Sequence, residues 1–189
     1  MKKLLLITGD IAAGKSTFAN ILSERYNTNV FFKDSIKEVL GDTIGFTNRE
    51  ENKKLSKASM ELMFFIFSEF VKLGKGLILE SNFHRTELER LHKIAKHNGY
   101  DVLTIALFGD VEVLHARYLN RMTNENRHSV HLSTAIDKFE DFKKCSDYFK
   151  SIEIPGEVIR IDATDYVYQS CEEILSPIDK FMNIDSCRR

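Results

Sequence analysis

Near the amino terminus, glycine, lysine and hydroxyl residues stand at a spacing suited to gripping a polyphosphate: Gly9-Asp10-Ile11-Ala12-Ala13-Gly14-Lys15-Ser16-Thr17. The two glycines let the backbone curl so that successive amides point inward at phosphate oxygens. A helix beginning near Lys15 would add its positive N-terminal end. In that arrangement Lys15 reaches the β- and γ-phosphates and Ser16 ligates Mg2+. Thr17 either touches the α-phosphate or only fills the first helical turn. The fixed positions match the Walker A pattern, so ATP with Mg2+ is the expected bound species. The competing reading, a glycine-rich turn with no ligand, is opposed by the β-rich run before the loop and the helix after it.

Other residues farther along could act on those phosphates. Asp34 follows the apolar run Val30-Phe31-Phe32, at the carboxyl edge of a sheet where ligands bind in open α/β folds. It is a candidate general base, or hydrogen-bonding anchor, for an acceptor hydroxyl. A capping role would otherwise explain it, but Ser35 with Glu38 has capping-box spacing and leaves Asp34 just outside the helix. Glu80 closes the run Gly76-Leu77-Ile78-Leu79 and is a candidate for a magnesium-bound water or a substrate hydroxyl. Pairing with Arg85 is its structural alternative. Arg117 and Arg121 share a helix face by their i, i+4 spacing, and Arg127 follows. Arginines on a closing segment can stabilise the charge that spreads over a transferring phosphoryl group, whereas a solvated basic face usually carries balancing carboxylates. His128 and His131 could form a pH-sensitive lid contact; a metal site is disfavoured by the lack of a nearby third ligand.

Placing these groups requires short β-rich runs alternating with helices, the pattern of a parallel sheet covered on both faces. Five strands are predicted: Lys3 to Thr8, Asn29 to Lys33, Gly76 to Ser81, Val102 to Phe108 and Glu157 to Asp162. Capping boxes at Ser35/Glu38, Thr47/Glu50 and Thr86/Glu89 predict three helix starts. Between Thr47 and Gly74, Leu55, Ala58, Leu62, Phe65 or Ile66, Phe70 and Leu73 recur every three to four positions, which predicts one long amphipathic helix. Met60, Met63, Phe64 and Phe67 fall beside that stripe, to pack in the core or line an acceptor pocket. Leu132, Ile136, Phe139, Phe142 and Phe149 suggest a later helix. Met122 to Ser133 is polar and nearly aperiodic, hence a loop or mobile helical hairpin.

The 189 residues, 43% of them hydrophobic, suffice for one domain with one full core. Lysine plus arginine (27) nearly cancels aspartate plus glutamate (28), so no global field favours nucleic acid or an anionic membrane. Cys145, Cys171 and Cys187 suggest neither a disulfide framework nor a zinc site, and a reducing cytoplasm is expected. The apolar run Leu4 to Ile7 is too short for a signal-peptide core or a spanning helix.

The residues Gly9 to Thr17, Lys33-Asp34-Ser35-Ile36-Lys37-Glu38, Leu79-Glu80-Ser81-Asn82-Phe83, and Arg117-x-x-x-Arg121 followed by Arg127-His128-x-x-His131 resemble the small P-loop kinases often labelled AAA-type ATPases. That group includes zeta toxins, chloramphenicol phosphotransferase and gluconate and nucleotide kinases. The resemblance implies a three-layer P-loop NTPase fold over residues 1–189, with a five-stranded parallel sheet, the Walker strand central, and a short lid around 117–132. It also implies that Asp34 contacts the acceptor hydroxyl and that the adenine base rests near Ile161-Asp162-Ala163-Thr164-Asp165. Many relatives have Pro-Gly between the lid histidines, where this chain has Ser129-Val130. The expected activity is transfer of the γ-phosphoryl group of Mg-ATP to a hydroxyl of a small molecule. A zeta-type kinase acting on a nucleotide sugar would use the same residues. A kinase for nucleic-acid ends fits the neutral charge poorly. A nucleotide-dependent switch remains a further alternative, although Asn52-Lys53-Lys54-Leu55 lacks the aspartate of a guanine-reading N-K-x-D motif.

Overall fold

A computed structural model of the chain describes residues 2–124, 127–132, 136, 138–165 and 167–183. Cys187, and residues 125, 126 and 133 of the aperiodic stretch, lie outside the described residues. The strands are β1 (Lys3–Gly9), β2 (Val30–Phe32), β3 (Leu77–Glu80), β4 (Asp101–Phe108) and β5 (Glu157–Asp162). All are parallel, in the order β2-β3-β1-β4-β5. The strand carrying the phosphate loop is therefore central, and the three-layer α/β fold expected from the sequence is the one observed.

The alternation of side chains along β1 divides the core in two, because successive residues of a strand face opposite sides of the sheet. Leu5 and Ile7 join Phe18, Ala19 and Leu22 of α1 (Lys15–Tyr26), Leu114 and Tyr118 of α5 (Val111–Asn124), Phe142 of α7 (Phe139–Ser151), and Leu175 and Ile178 of α8 (Glu172–Phe181). Leu4 and Leu6 join Met60, Met63, Phe64 and Phe67 of α3 (Arg49–Leu73) and Leu88, Leu91 and Ala95 of α4 (Arg85–His97). The other α-helices among the described residues are α2 (Lys33–Ile44) and the four-residue α6 (Ser129–Leu132). Helices α1 and α8 are tied together by Asp179, whose carboxylate accepts from Arg25 Nε at 2.7 Å, from Arg25 Nη2, and from the Tyr26 hydroxyl at 3.0 Å.

The long helix after Thr47 is present as α3, closed by Gly74 in the left-handed conformation, but its buried face differs from the predicted stripe. Leu55, Met60, Met63, Phe64 and Phe67 are buried, while Leu62, Phe65 and Leu73 are exposed. Apolar residues occupy nearly every face between 58 and 73, so periodicity alone could not set the rotation; the sheet did. Met60, Met63, Phe64 and Phe67 are core residues.

The three capping boxes are displaced. Helix α2 starts at Lys33 with Phe32 as its N-cap, which lacks a side-chain cap, so Ser35 lies within the helix. At α3 the cap is Asn48, whose Oδ1 accepts from the Glu51 amide at 3.0 Å; Glu51 in turn accepts from the Thr47 amide at 2.7 Å. At α4, Glu87 accepts from the His84 amide at 2.8 Å, and Glu89 instead accepts from Arg85 Nε at 2.8 Å. At α3 and α4 a neighbouring residue offered a better-placed acceptor, whereas α2 begins without a side-chain cap.

Candidate active site

The phosphate loop turns between the end of β1 and the start of α1. At Gly9 the backbone has φ +121°, and a Cβ there would stand 1.9 Å from the Leu107 carbonyl oxygen; only glycine fits. The Asp10 amide donates to that same oxygen at 2.8 Å, which locks the loop onto β4. Gly14, also left-handed at φ 81°, caps α1 and leaves the first-turn amides facing the loop. Two side chains pin the loop from outside: Asn82 Nδ2 donates to Gly9 O at 2.9 Å, and the Tyr168 hydroxyl donates to Ala13 O at 2.8 Å.

The Asp10 side chain takes no part in the phosphate-facing surface. It is fully buried, with Oδ1 accepting from the Ser146 hydroxyl at 2.9 Å and Oδ2 from the Gly109 amide at 3.2 Å. Burial raises its pKa against the lowering effect of these donors and of Lys150 and Lys15. Asp10 is thus a strut between the loop, α7 and the end of β4, and contributes only backbone to the loop.

A cleft of about 620 Å³ opens over the loop, lined by Ile11, Ala12, Gly14, Lys15, Ser16 and Thr17 on its floor. Lys15 is 7% exposed and its Nζ donates to Asp10 O at 2.6 Å. Burial lowers the lysine pKa, while Glu80, Asp34 and Asp10 act to raise it. Glu80, at the end of β3 and 5% exposed, accepts from the Ser16 hydroxyl at 3.1 Å. Its own pKa is raised by burial, against the lowering effect of Lys15. Pairing of Glu80 with Arg85 does not occur, since Arg85 pairs with Glu89 and Glu153. A buried carboxylate beside a serine hydroxyl at a phosphate loop is an oxygen donor set that suits Mg2+.

The remaining walls bring together Asp34, Lys37, Arg117, Arg121, Arg127 and His131. Asp34 lines the cleft from the first turn of α2, not from outside the helix, because α2 begins directly after the three-residue strand β2. Arg117 and Arg121 both project from α5 into the cleft, yet their settings differ. Arg117 donates through Nη1 to Ala163 O at 2.8 Å and through Nη2 to Thr164 O, which ties α5 to the loop after β5. Arg121 lies near enough to Lys15 for its charge to lower the lysine pKa. Asp165 caps the short turn Val167–Gln169, accepting from the Val167 amide at 3.0 Å.

The aperiodic stretch contains a docked segment. Val130 of α6 is fully buried and packs over Gly41 of α2, where a Cβ would come within 2.3 Å of Val130 Cγ1. Its carbonyl accepts from Asn52 Nδ2 at 2.8 Å and Lys37 Nζ at 3.4 Å. On either side, His128 Nε2 meets Asp42 Oδ1 at 2.9 Å and His131 Nε2 meets Glu38 Oε1 at 2.8 Å. The two histidines thus join this segment to successive turns of α2. Gly41, Lys37 and Asn52 were not singled out from the sequence. A glycine inside a predicted helix was the one local sign of a close approach.

Fold and loop together define a protein of the P-loop kinase fold class. A family model for the zeta toxin matches residues 1–170, and the chain belongs to that family. No curated protein matches it. Among solved structures, a candidate kinase from Chloroflexus aurantiacus superposes with a TM-score of 0.81 at 21% identity, covering 95% of this chain and 97% of that one. A gluconokinase from Sinorhizobium meliloti gives 0.61 at 12% identity, with coverage of 96% and 94%. The tunicamycin resistance protein of Deinococcus radiodurans gives 0.55 at 18%, with 98% of both chains covered. At these identities the likeness is one of fold. Among the described residues, no helix is long and apolar enough to cross a membrane.

Proposed function

We propose that the chain is an ATP-dependent kinase that moves the γ-phosphoryl group to a hydroxyl of a small-molecule acceptor. The observation that carries this reading is the single cleft in which the phosphate loop, the Ser16–Glu80 pair, Asp34 and the α5 arginines face one another. A binding module would need the loop alone. A carboxylate across from the phosphates is what an acceptor requires.

In this reading the loop amides and Lys15 hold the β- and γ-phosphates, while Ser16 and Glu80 are the residues that would hold Mg2+. Magnesium, when bound, neutralises charge on the phosphate oxygens. Among the described residues no cluster of three or more His, Cys, Asp or Glu could hold a metal ion, so the cation would share its ligation with the nucleotide and water. Thr17, on the cleft floor, serves the α-phosphate. Asp34 orients the acceptor hydroxyl and takes its proton, and Arg121 and Arg127 stabilise charge on the transferring group. Arg117 holds the loop after β5 where the base would rest. The reaction takes place in a cytoplasmic setting.

The test is acceptor-dependent ADP release from pooled metabolites, nucleotide sugars included, with Lys15→Ala and Asp34→Ala as controls. Asp34→Ala should lower turnover by roughly 10²–10⁴-fold, the usual range for a general base. ATP binding without turnover in any pool would point instead to a nucleotide-dependent switch.

A further inference from the structure

Of the two arginines assigned to the transferring group, Arg121 stands on α5, a helix packed against the sheet through Leu114 and Tyr118, whereas Arg127 comes from the segment after it. Arg127 lines the cleft, and its Nε is buried without a hydrogen-bond partner among the described residues. Its place is therefore set by its backbone, which means by where the residues that follow it are docked. Val130 lies three residues on, and three residues of chain reach at most about 10–11 Å. The setting matters because a misplacement of about 1 Å at a reacting centre can cost about 10²-fold in rate.

The contacts that dock this segment are unequal. His128 and His131 meet Asp42 and Glu38, carboxylates open to solvent, and ion pairs of that kind contribute little. The bond from Asn52 Nδ2 to Val130 O, at 2.8 Å, joins two residues that are both fully buried. It is the shorter of the bonds that this carbonyl receives from α2 and α3, since Lys37 Nζ stands at 3.4 Å. Taking a donor from a buried carbonyl incurs its full desolvation cost. Asn52 also reaches past α2. It lies on α3, one turn after Asn48, whose side chain caps that helix, and α3 is seated in the core by Met63 and Phe67. Gly41, Lys37 and the two carboxylates that meet the histidines all belong to α2.

We propose that Asn52 is a positioning residue for phosphoryl transfer: by holding the Val130 carbonyl on α3, it sets Arg127 over the cleft. This role rests on the kinase reading. Asn52 does not line the cleft, so its effect passes through Arg127 and leaves the phosphate loop as it is.

The test is a double-mutant cycle between Asn52 and Arg127, read by ADP release with water and with pooled metabolites as acceptors. Asn52→Leu removes the donor and fills its space, and Asn52→Ala removes it and leaves room. Either should lower kcat by roughly tenfold or more, with KM for ATP within about twofold of wild type. Hydrogen exchange in residues 127–132 should quicken in both. In an Arg127→Ala background the same changes should lower kcat no further, because the group they position is gone. Losses that multiply in the double variant would show that Asn52 acts through the packing at large and overturn the proposal. A kcat that Arg127→Ala lowers and both Asn52 variants leave whole also overturns it, with the kinase reading intact. A wild type that releases no ADP with any acceptor sinks the kinase reading and this role along with it.

Discussion

Substituting Gly41 by alanine separates what the helix prefers from what the lid requires. Gly41 lies inside α2, where alanine is intrinsically better by about 0.5–1 kcal/mol. The added methyl would, however, sit 2.3 Å from Val130 Cγ1, where carbon atoms rest at about 3.5–4.0 Å. The lid must then withdraw by roughly 1 Å or more, because the β-branched valine has little rotamer freedom with which to yield. Overpacking of this kind costs about 1–3 kcal/mol, which shifts the docked-to-undocked ratio of the lid by roughly 5- to 150-fold. The expected result is a melting temperature equal to or above that of the wild type, faster hydrogen exchange in residues 127–132, and a loss in kcat/KM of comparable size. The double variant Gly41→Ala/Val130→Ala should recover much of that loss, because the clashing methyl is gone. Unchanged exchange with kcat/KM within twofold would refute the docked lid as a working state. A fall of several degrees in melting temperature would place the clash in the core and not at the lid.

Three further outcomes follow from the geometry. Arg121→Ala should lower kcat by about 10³-fold or more while changing ATP affinity little, and an equal loss in both would remove it from transition-state stabilisation. Asp179→Ala strips two buried or half-buried partners, Arg25 and Tyr26, of their acceptor. It should cost about 2–3 kcal/mol, or roughly 5–10 °C in melting temperature, without moving KM for ATP; a change under 1 °C would show the α1–α8 tie to be energetically idle. Asp10 has a folded-state pKa raised above the ordinary 3.8, chiefly by burial. A carboxyl of that kind holds its proton more tightly in the folded chain, so folding stability falls as pH rises from the unfolded value through the folded one. The melting temperature of Asp10→Asn relative to wild type should therefore climb as pH is raised from 3.8, and a pH-independent difference would argue against the shift.

Sequence was most informative where the physics is local. The strand-loop-helix around Gly9 to Ser16 and the five apolar strands are dictated by neighbours along the chain, and the strand boundaries match within about one residue. The rotation of α3 is a different kind of quantity. It depends on which face meets β3 and α4, and a helix apolar on most sides carries no local record of that choice. The caps fail for a related reason. Thr47/Glu50 and Asn48/Glu51 offer the same spacing one residue apart, and only the path of the chain into α3 decides between them.

Asp34 owes its place to the strand before it and not to a cap after it. The Ser35/Glu38 spacing predicts a cap that leaves Asp34 outside α2; Ser35 caps nothing, and Asp34 is in the first turn. It reaches the cleft nonetheless because β2 ends at the carboxyl edge of a parallel sheet, and the first turn of the helix that follows stands over the same edge as the phosphate loop. The same geometry carries Lys37, three residues on, to the same wall. Sheet topology, not capping, is what brings these two residues to a common cleft, and a substitution that shortened β2 or moved the start of α2 by one residue would turn both away together.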